Sequence, residues 1–420
     1  MMNLNEALDY IHNLYRKGSV PGLHRMQQML EMMGNPQKKL KFIHIAGTNG
    51  KGSTAAMTAS ILTKAGYKTG LFTSPYIYRF HERMQICGQQ ISDSDVIAMV
   101  EYTRGFAEKL EDITTEFEFV TCMAMEYFMR QGCDIVVLEV GMGGLIDATN
   151  IIDTPEVAVV TNIGLDHTDY LGDTLEKIAA NKAGIFKEGG HAVVYRGSEG
   201  VEAVYEEICA RKHVALRKAD FDSIVLSSHS LEGQVFSCGS RKDLVLPLLG
   251  DHQLHNASVV LSVIDTLMDL GWHITEDHIR EGLRDTAWPG RFDIVSRNPL
   301  FIIDGGHNPQ CIDALVKNIA DYLAGTRLIA LVGVLADKDY GEMFRPVMEY
   351  VTEFVCVTPD NPRKLPAAEL AEHLQRAGAQ AVACATVAEG VAKAKELAGA
   401  DGAVLCFGSL YTIGDIKAAV

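Results

Sequence analysis

Short runs of Val, Ile and Leu alternate along this chain with segments in which apolar residues recur every three to four positions. Uninterrupted apolar runs are typical of parallel strands that are covered on both faces, and the periodic segments are typical of amphipathic helices. The pattern predicts strands at 41–47, 68–74, 134–140 and 156–163, and helices at about 52–65, 93–110, 117–131, 175–186 and 253–270. It indicates an α/β protein.

Two segments interrupt this alternation. Residues 223–247 contain short strand-like runs separated by Gly and Ser, which predicts an antiparallel excursion. Trp288-Pro289-Gly290 carries a turn signal, and the strand–helix alternation then restarts with LFIIDGG and a helix from about Pro309. A chain of 420 residues also exceeds the roughly 250–300 residues at which single cores stop growing. We therefore predict a P-loop ATPase-like domain with a parallel sheet at 1–294, a smaller Rossmann-like α/β domain at 295–420, and a cleft between them.

Composition narrows the range of partners. The hydrophobic fraction of 47% and the charged fraction of 22% are ordinary for a soluble globular protein. A formal net charge of −16 argues against general nucleic-acid binding, which needs accumulated Lys and Arg. Nine cysteines without a CxxC pair indicate reduced thiols, and neither a signal-peptide pattern nor a membrane-length apolar run is present. We expect a cytoplasmic protein whose partners are small molecules, with no nucleic acid and no membrane.

A glycine-rich segment joins the first predicted strand to the first long helix. It consists of Gly47, Thr48, Asn49, Gly50, Lys51, Gly52 and Ser53. In a phosphate loop, glycines let backbone N–H groups approach phosphate oxygens at a helix N-terminus. Here Lys51 would reach the β- and γ-phosphates, and Ser53 would approach the phosphates or Mg²⁺. The guanine-reading NKxD element is absent, so ATP is the predicted nucleotide. The alternative is a plain glycine-rich strand–helix turn.

Nine further segments, taken in order, resemble the folylpolyglutamate synthase/dihydrofolate synthase family of the Mur ligase superfamily. They are FTSPYIYRFHERMQI (72–86), TEFEFVT (115–121), LEVGMGGLIDATN (138–150), TNIGLDHTDYLGDTLEKIAANKAGIFK (161–187), LLGDHQLHNA (248–257), WPGRF (288–292), IIDGGHNP (303–309), GVLADKD (333–339) and FGSLYTIGDI (407–416). The resemblance covers nearly the whole chain. It implies an ATP-dependent ligase, a monomer, that adds L-glutamate to a folate polyglutamate through an acyl phosphate.

The same resemblance implies a metal site. Ser74, Glu139 and His167 correspond to Mg²⁺ contacts of the family, supplying a hydroxyl, a carboxylate and an imidazole. Lys182 corresponds to a catalytic lysine that CO₂ carbamylates, and its carbamate oxygens would hold a second Mg²⁺. Family members often have Glu before this lysine, whereas this chain has Asn181. The alternatives are a strand-end carboxylate, a loop histidine, a turn serine and an ordinary helix lysine.

The resemblance also implies a folate pocket and a nucleotide pocket. The folate-side residues are Thr115, Glu116, Phe117, Asp147 and Ala148. Asp147 would position the pterin ring or take a proton from the incoming ammonium, although Phe117 is equally consistent with a core residue. Leu145 replaces the Arg of the commoner GGRLDATN pattern. The nucleotide-side residues are Asn256, Arg291, Asp304 and His307, together with the catalytic Lys51. Lys338 and Asp339 are expected to face the glutamate or the other domain.

Three other functions remain open at this point. A bifunctional enzyme would also glutamylate dihydropteroate, but Tyr76 stands where the SPHL version of this motif has His. A peptidoglycan-type amino-acid ligase is disfavoured because no separate domain for a UDP sugar is evident. A nucleotide-binding regulator without ligase chemistry is disfavoured by the metal set together with Lys182.

Overall fold

The computed structural model describes residues 2–14, 22–336 and 340–420. The helices in this part of the chain are α1 (Leu4–Asn13), α2 (His24–Met32), α3 (Lys51–Lys64), α4 (Asp93–Ala107), α5 (Glu116–Arg130), α6 (Thr168–Leu171), α7 (Leu175–Lys182), α8 (Glu199–Arg211), α9 (Asp251–Asp269), α10 (Glu276–Arg284), α11 (Pro309–Tyr322), α12 (Tyr340–Phe344), α13 (Ala367–Arg376), α14 (Val387–Ala398) and α15 (Leu410–Ala419).

The strands in the same residues are β1 (Phe42–Ala46), β2 (Thr69–Phe72), β3 (Met84–Ile86), β4 (Gln89–Gln90), β5 (Ile135–Glu139), β6 (Val157–Val160), β7 (His191–Val194), β8 (Ala215–Lys218), β9 (Val225–Ser230), β10 (Gly233–Cys238), β11 (Arg241–Leu246), β12 (Asp293–Arg297), β13 (Leu300–Ile303), β14 (Leu328–Val332), β15 (Glu353–Cys356), β16 (Ala381–Ala383) and β17 (Ala403–Phe407).

The first sheet has eight strands in the order β4-β3-β2-β5-β1-β6-β7-β8. The six strands from β2 to β8 in this order are parallel, and only β3 and β4 run antiparallel to their neighbours. Side chains of β1 alternate between two cores: Ile43 and Ile45 pack with α3, α9 and α10, whereas Phe42 packs with α1, α4 and α5. Burial on both faces explains why the strands read as continuous apolar runs. The predicted parallel sheet is confirmed.

The segment at 223–247, which interrupts the strand–helix alternation, forms a separate antiparallel sheet in the order β11-β10-β9, as its short strand-like runs predicted. The long helices also occur where the periodicity placed them. One prediction was too long: the helix expected at 175–186 ends at Lys182 and continues as a 3₁₀ turn at Ala183–Ile185. The chain there tightens into a 3₁₀ turn while Gly184 packs against Leu145, where a side chain would collide with the backbone.

The chain after Gly290, where the strand–helix alternation restarts, forms the second sheet in the order β12-β13-β17-β14-β15-β16. Its strands are parallel except β12, which is antiparallel to β13. The second α/β unit is therefore present, with β12 beginning at Asp293. In the described residues no helix is long and apolar enough to span a bilayer. The nine cysteines all lie in the described residues, and each is a free thiol.

Helix α3 is held in place by a close approach to α10. A Cβ atom on Gly282 of α10 would lie 2.5 Å from Cα of Ile61 and 2.7 Å from its backbone nitrogen. The Ser60 hydroxyl donates a hydrogen bond to the Gly282 carbonyl at 2.7 Å. The absence of a side chain at Gly282 thus sets the distance between α10 and the helix that follows the phosphate loop.

We expect Gly282→Ala to destabilise the fold by about 1–3 kcal/mol, because the methyl group meets backbone that cannot rotate away. Gly105→Ala is the matched control: it is also a glycine inside a helix, and nothing lies within 4 Å of the added Cβ. It should stabilise the fold by about 0.5–1 kcal/mol. Urea unfolding midpoints measure both effects. Equal shifts for the two variants would contradict the close-packing explanation.

Candidate active site

The phosphate loop lies between β1 and α3, with Gly50 at the N-cap of α3. Gly47 and Gly50 have φ values of 153° and 86°, a region that favours glycine. Each glycine also faces another element closely. A Cβ would overlap the Thr161 hydroxyl at Gly47, would lie 2.5 Å from Asn256 Oδ1 at Gly50, and would lie 2.7 Å from Trp288 Cζ2 at Gly52. Three separate contacts therefore leave no room for a side chain at these three glycine positions.

Lys51 folds back over the loop. Its Nζ donates hydrogen bonds to the carbonyl oxygens of Gly47 at 3.1 Å and Thr48 at 3.2 Å. The Thr48 hydroxyl in turn bonds the backbone of Gly164 at both its carbonyl and its N–H, each at 3.1 Å. Ser53 is buried, and its hydroxyl accepts a hydrogen bond from Gln253 Nε2 at 3.3 Å. The loop is thus held in shape by neighbours on both sides.

A cavity of about 490 Å³ opens beside the loop, between the first and second sheets. Most of the predicted site residues line it: Thr48, Asn49, Gly50, Lys51, Gly52, Ser53, Ser74, Glu139, His167, Asn256, Arg291, Asp304 and His307. Gly47, Lys182, Thr115, Glu116, Phe117, Asp147 and Ala148 are not part of this wall. The structure therefore brings most of the nucleotide and metal candidates together, and it places the folate candidates Phe117 and Asp147 directly behind Gly141, which also lines the cavity.

Glu139 is the last residue of β5, and Ser74 follows β2, the neighbouring parallel strand. The Ser74 backbone N–H donates to Glu139 Oε2 at 3.0 Å. Burial raises the pKa of the Glu139 carboxyl, while the charges of Lys51, Arg291 and Arg83 and the Ser74 hydrogen bond lower that pKa. A buried carboxylate facing several cations is a suitable ligand for a hard metal ion.

His167 has a left-handed backbone with φ of 49° and is the N-cap residue of α6. Its side chain is 51% exposed, and its Nε2 lies 4.0 Å from Asp166 Oδ1. No group of three or more His, Cys, Asp and Glu side chains that would hold a metal ion occurs in the described parts of the chain. A metal set built from Ser74, Glu139 and His167 therefore has few ligand atoms of its own and would need oxygen atoms from a substrate.

Lys182 lies at the end of α7 with 4% of its surface exposed, and its Nζ donates to the Gly47 carbonyl at 2.8 Å. The pKa of Lys182 is lowered to about 7, mainly by burial and then by the nearby charge of Lys51, while Asp166 and Asp147 act in the opposite direction. The amine is therefore close to half neutral near pH 7. Lys182 also braces the phosphate loop, a contact that sequence reasoning did not anticipate.

Asp147 lies in a saturated hydrogen-bond network. It accepts from the Met142 N–H at 2.8 Å, from the Thr149 N–H at 3.0 Å and hydroxyl at 2.5 Å, and from the Gly141 N–H. A carboxylate has about four acceptor positions, so these donors occupy all of them. His44 Nε2 lies 2.8 Å from the Thr149 hydroxyl oxygen and must donate, because the hydroxyl proton points to Asp147. Asp147 thus fixes the shape of the loop after β5.

The remaining folate candidates are mainly part of α5. The Thr115 hydroxyl accepts from the Glu118 N–H at 3.2 Å, and Glu118 accepts from the Thr115 N–H at 2.8 Å, which forms a capping box. Phe117 is half-buried, and its ring packs against Gly141, where a Cβ would lie 2.6 Å away. Glu116 lies 3.5 Å from Arg83 Nη2, and Ala148 is buried. These contacts give Thr115 a structural role and place Phe117 beside the Asp147 loop.

The second sheet contributes its first strand–loop to the cavity. Asp304, after β13, accepts from the N–H groups of Phe292 at 2.9 Å and Gly306 at 2.7 Å. Burial raises the pKa of Asp304, and the charge of Arg291 lowers it. His307 Nδ1 lies 2.8 Å from the Gly305 carbonyl oxygen, so that nitrogen carries the proton. These contacts join the linker after Trp288 to the second sheet.

Several cavity residues were missed by sequence reasoning. They are Asp166, Tyr195, His252, Gln253, Gln310, Cys311, Arg363, Ser409 and Tyr411. Some of them lie in the motifs quoted above, such as His252 in LLGDHQLHNA, so the motif signalled the region without singling out the side chain. Burial and the charge of Arg291 lower the pKa of His252 to about 4. Lys338 and Asp339, expected to face the glutamate, lie outside the described residues.

Comparison with known proteins identifies the family in which this site geometry occurs. Residues 45–264 match the Mur ligase middle domain, and residues 290–410 match the Mur ligase glutamate ligase domain. The folylpolyglutamate synthase of Lacticaseibacillus casei is 36% identical over 379 residues, which cover 87% of this chain and 88% of that protein. The dihydrofolate synthase/folylpolyglutamate synthase of Bacillus subtilis is 35% identical over 427 residues, which cover 98% of each.

Solved structures agree with these relatives. Escherichia coli FolC in complex with DHPP and ADP superposes with a TM-score of 0.87 at 32% identity, covering 99% of this chain and 97% of that chain. Mycobacterium tuberculosis folylpolyglutamate synthase complexed with ADP and AMPPCP superposes with a TM-score of 0.89 at 29% identity, covering 99% and 98%. The chain therefore belongs to the folylpolyglutamate synthase/dihydrofolate synthase family of Mur ligases.

Proposed function

We propose that this protein joins L-glutamate to the terminal carboxylate of a folate polyglutamate at the expense of ATP. The carboxylate oxygen attacks the γ-phosphorus, ADP leaves, and an acyl phosphate forms. The glutamate amine then attacks the acyl carbon, phosphate leaves, and an amide bond forms after loss of a proton. The observation that carries this proposal is the shared cavity in which the phosphate loop, Glu139 and Arg291 meet.

The residues divide this work by position. Residues 47–53 hold the ATP phosphates with backbone N–H groups, and Lys51 leaves its carbonyl partners to neutralise the β- and γ-phosphates. Arg291 and His307 approach from the second sheet and balance negative charge on the migrating phosphoryl group. Asn256 and Asp304 contact the adenosine part. Family relatives bound to ADP and AMPPCP support this assignment of the nucleotide.

The donor chemistry of the site fits Mg²⁺. Glu139 supplies a carboxylate and Ser74 a hydroxyl, both hard oxygen ligands, and His167 lines the same cavity. Bound Mg²⁺ would neutralise phosphate charge, and phosphate oxygens would complete the few protein ligands. A second Mg²⁺ requires another anionic ligand. Carbamylated Lys182 is our proposal for that ligand, supported by its burial and lowered pKa.

On the folate side, we assign Asp147 to holding the loop after β5, with Ala148 behind it and Phe117 as the ring that faces the pterin. Thr115 and Glu116 support this wall from the start of α5.

We further propose a monomer in the cytoplasm with domain limits near residues 294 and 295.

A second activity is supported by specific relatives. Proteins that cover 98% and 97% of this chain, from Bacillus subtilis and Escherichia coli, are dihydrofolate synthase/folylpolyglutamate synthases. Addition of the first glutamate to dihydropteroate uses the same carboxylate activation, so one cavity serves both reactions. The peptidoglycan-type ligase and the non-catalytic regulator have no observation in their favour.

The function is tested by ADP release with tetrahydrofolate or dihydropteroate, each with L-glutamate. We expect turnover that needs all three substrates, and a loss of at least about 10²-fold in Lys51→Ala, because a cation at the transferring phosphoryl group is removed. Circular dichroism confirms that the variant is folded. Turnover in Lys51→Ala equal to that of the wild type would exclude this nucleotide site. Turnover with dihydropteroate and glutamate, but not with tetrahydrofolate and glutamate, would select the second activity.

Glu139→Gln keeps the shape of the side chain and removes its charge. We expect kcat to fall by about 10²-fold and half-saturation by Mg²⁺ to need much more metal, because a neutral amide is a poor Mg²⁺ ligand. Glu126→Gln is the control, since Glu126 is also a buried glutamate but pairs with Arg130 on α5. A titration of turnover with Mg²⁺ compares them. An unchanged Mg²⁺ requirement in Glu139→Gln would make Glu139 a structural residue.

The carbamate on Lys182 is separable from its hydrogen bond to Gly47. Lys182→Arg keeps a cationic donor but cannot form a carbamate, so we expect it to be as inactive as Lys182→Ala. Acetate should restore part of the turnover of the alanine variant. Because the lysine pKa lies near 7, turnover at limiting bicarbonate should rise between about pH 6 and about pH 8. With ¹³C-labelled bicarbonate, an NMR signal from the carbamate carbon detects the Lys182 adduct directly. An active Lys182→Arg variant would refute the carbamate.

A further inference from the structure

Helix α11 of the second sheet begins directly against the phosphate loop. The Asn308 Nδ2 group donates to Asn49 Oδ1 at 3.0 Å, and the Asn49 Nδ2 group donates to Gln310 Oε1 at 3.0 Å. Cys311 Sγ also lies 3.3 Å from Asn49 Oδ1. Both ends of the Asn49 amide are thus engaged by side chains that lie more than 250 positions away in the chain.

The other end of the Gln310 amide reaches a different loop. Its Nε2 donates to the Ile163 carbonyl at 3.2 Å. Beside it, Gly164 is buried, and a Cβ atom there would overlap the Gln310 amide, whose Nε2 would be 2.8 Å away. The three atoms nearest to such a Cβ all belong to Gln310. Gly164 therefore leaves the space that the Gln310 amide fills.

We propose that Gln310 is a positioning residue: it fastens the second sheet to both the phosphate loop and the loop that leads to His167. We call this set of contacts, made by Gln310 with Asn49 and Ile163 over Gly164, the Gln310 bridge. The inference rests on the proposed function, because the ligase reaction is what requires the two sheets to be in register.

The bridge has a clear physical task. Arg291 and His307 come from the linker and the second sheet, whereas Lys51 comes from the start of α3, beside the first sheet. Their side chains must meet the same phosphoryl group, and a displacement of about 1 Å between reacting groups costs up to about 10²-fold in rate. Neutral hydrogen bonds at the rim of a cavity contribute little net stability. Removing the bridge is therefore expected to lower kcat and to leave the free energy of unfolding almost unchanged.

Four variants test the bridge by their combination. Gln310→Ala removes it, and Gly164→Ala pushes the amide out of place. Each should lower kcat by about tenfold, which is less than the roughly 10²-fold loss that a displacement of about 1 Å can cause. The KM for ATP should change less than kcat. In the Gln310→Ala background the three atoms nearest to the added Gly164 methyl group are gone, so the double variant should be no slower than Gln310→Ala. Asp321→Ala, on an exposed position of the same helix, is the control and should leave kcat unchanged.

Gln310→Glu refines the test. It keeps the acceptor for Asn49 but sets a carboxylate oxygen against the Ile163 carbonyl, so it should be at least as slow as Gln310→Ala. Wild-type kcat in both Gln310 variants, or equal and multiplicative losses from Gly164→Ala in both backgrounds, would overturn the proposal.

A second measurement does not depend on catalysis. Amide hydrogen exchange in residues 47–53 and 161–167 should be faster in Gln310→Ala than in the wild type or in Asp321→Ala, with unchanged urea midpoints. If the wild type shows no glutamate ligation, the proposed function fails while this exchange still tests the bridge. Unchanged exchange in both segments would reject the bridge even if the enzyme proves active.

Discussion

The pairing of β1 with β5 on one side and β6 on the other is the constraint on which the site depends. Ile45 pairs with Glu139, and Ala46 pairs with Val160, so three parallel strands end at the same edge of the first sheet. The phosphate loop, Glu139 and the loop leading to His167 follow those three ends. Ligands of open α/β sheets bind at this edge because the loops there diverge and leave a crevice.

Bringing charges to that edge has an electrostatic consequence. Burial raises the pKa of Glu139 and Asp147 and lowers that of Lys182, while hydrogen bonds and opposite charges act against these shifts for the two carboxyl groups. Lys51 and Lys182 both direct their Nζ groups to the Gly47 carbonyl. Two amines therefore lie beside the phosphate loop, close to where phosphate charge would be placed.

The second sheet completes the site because its first loop and helix reach across the cavity. Asp304 is bonded to the linker through Phe292, so the linker and the second sheet move together. Asn308 and Gln310 then meet the phosphate loop through neutral amides. Neutral contacts suit a place where the two sheets must come into register without adding charge beside the phosphates.

The sequence by itself indicated two α/β units, the antiparallel segment between them, several strands and long helices, and the phosphate loop, because these follow from local periodicity, glycine and turn signals. It also pointed to Lys51 and Glu139, which lie at strand and helix ends. Only the tertiary structure decided that the Lys182 amine donates to the Gly47 carbonyl and that the Gln310 amide lies over Gly164. Such contacts join residues up to 261 positions apart, as Asn49 and Gln310 are. They depend on how packed elements face each other, and no local pattern of hydrophobic and polar residues encodes that orientation.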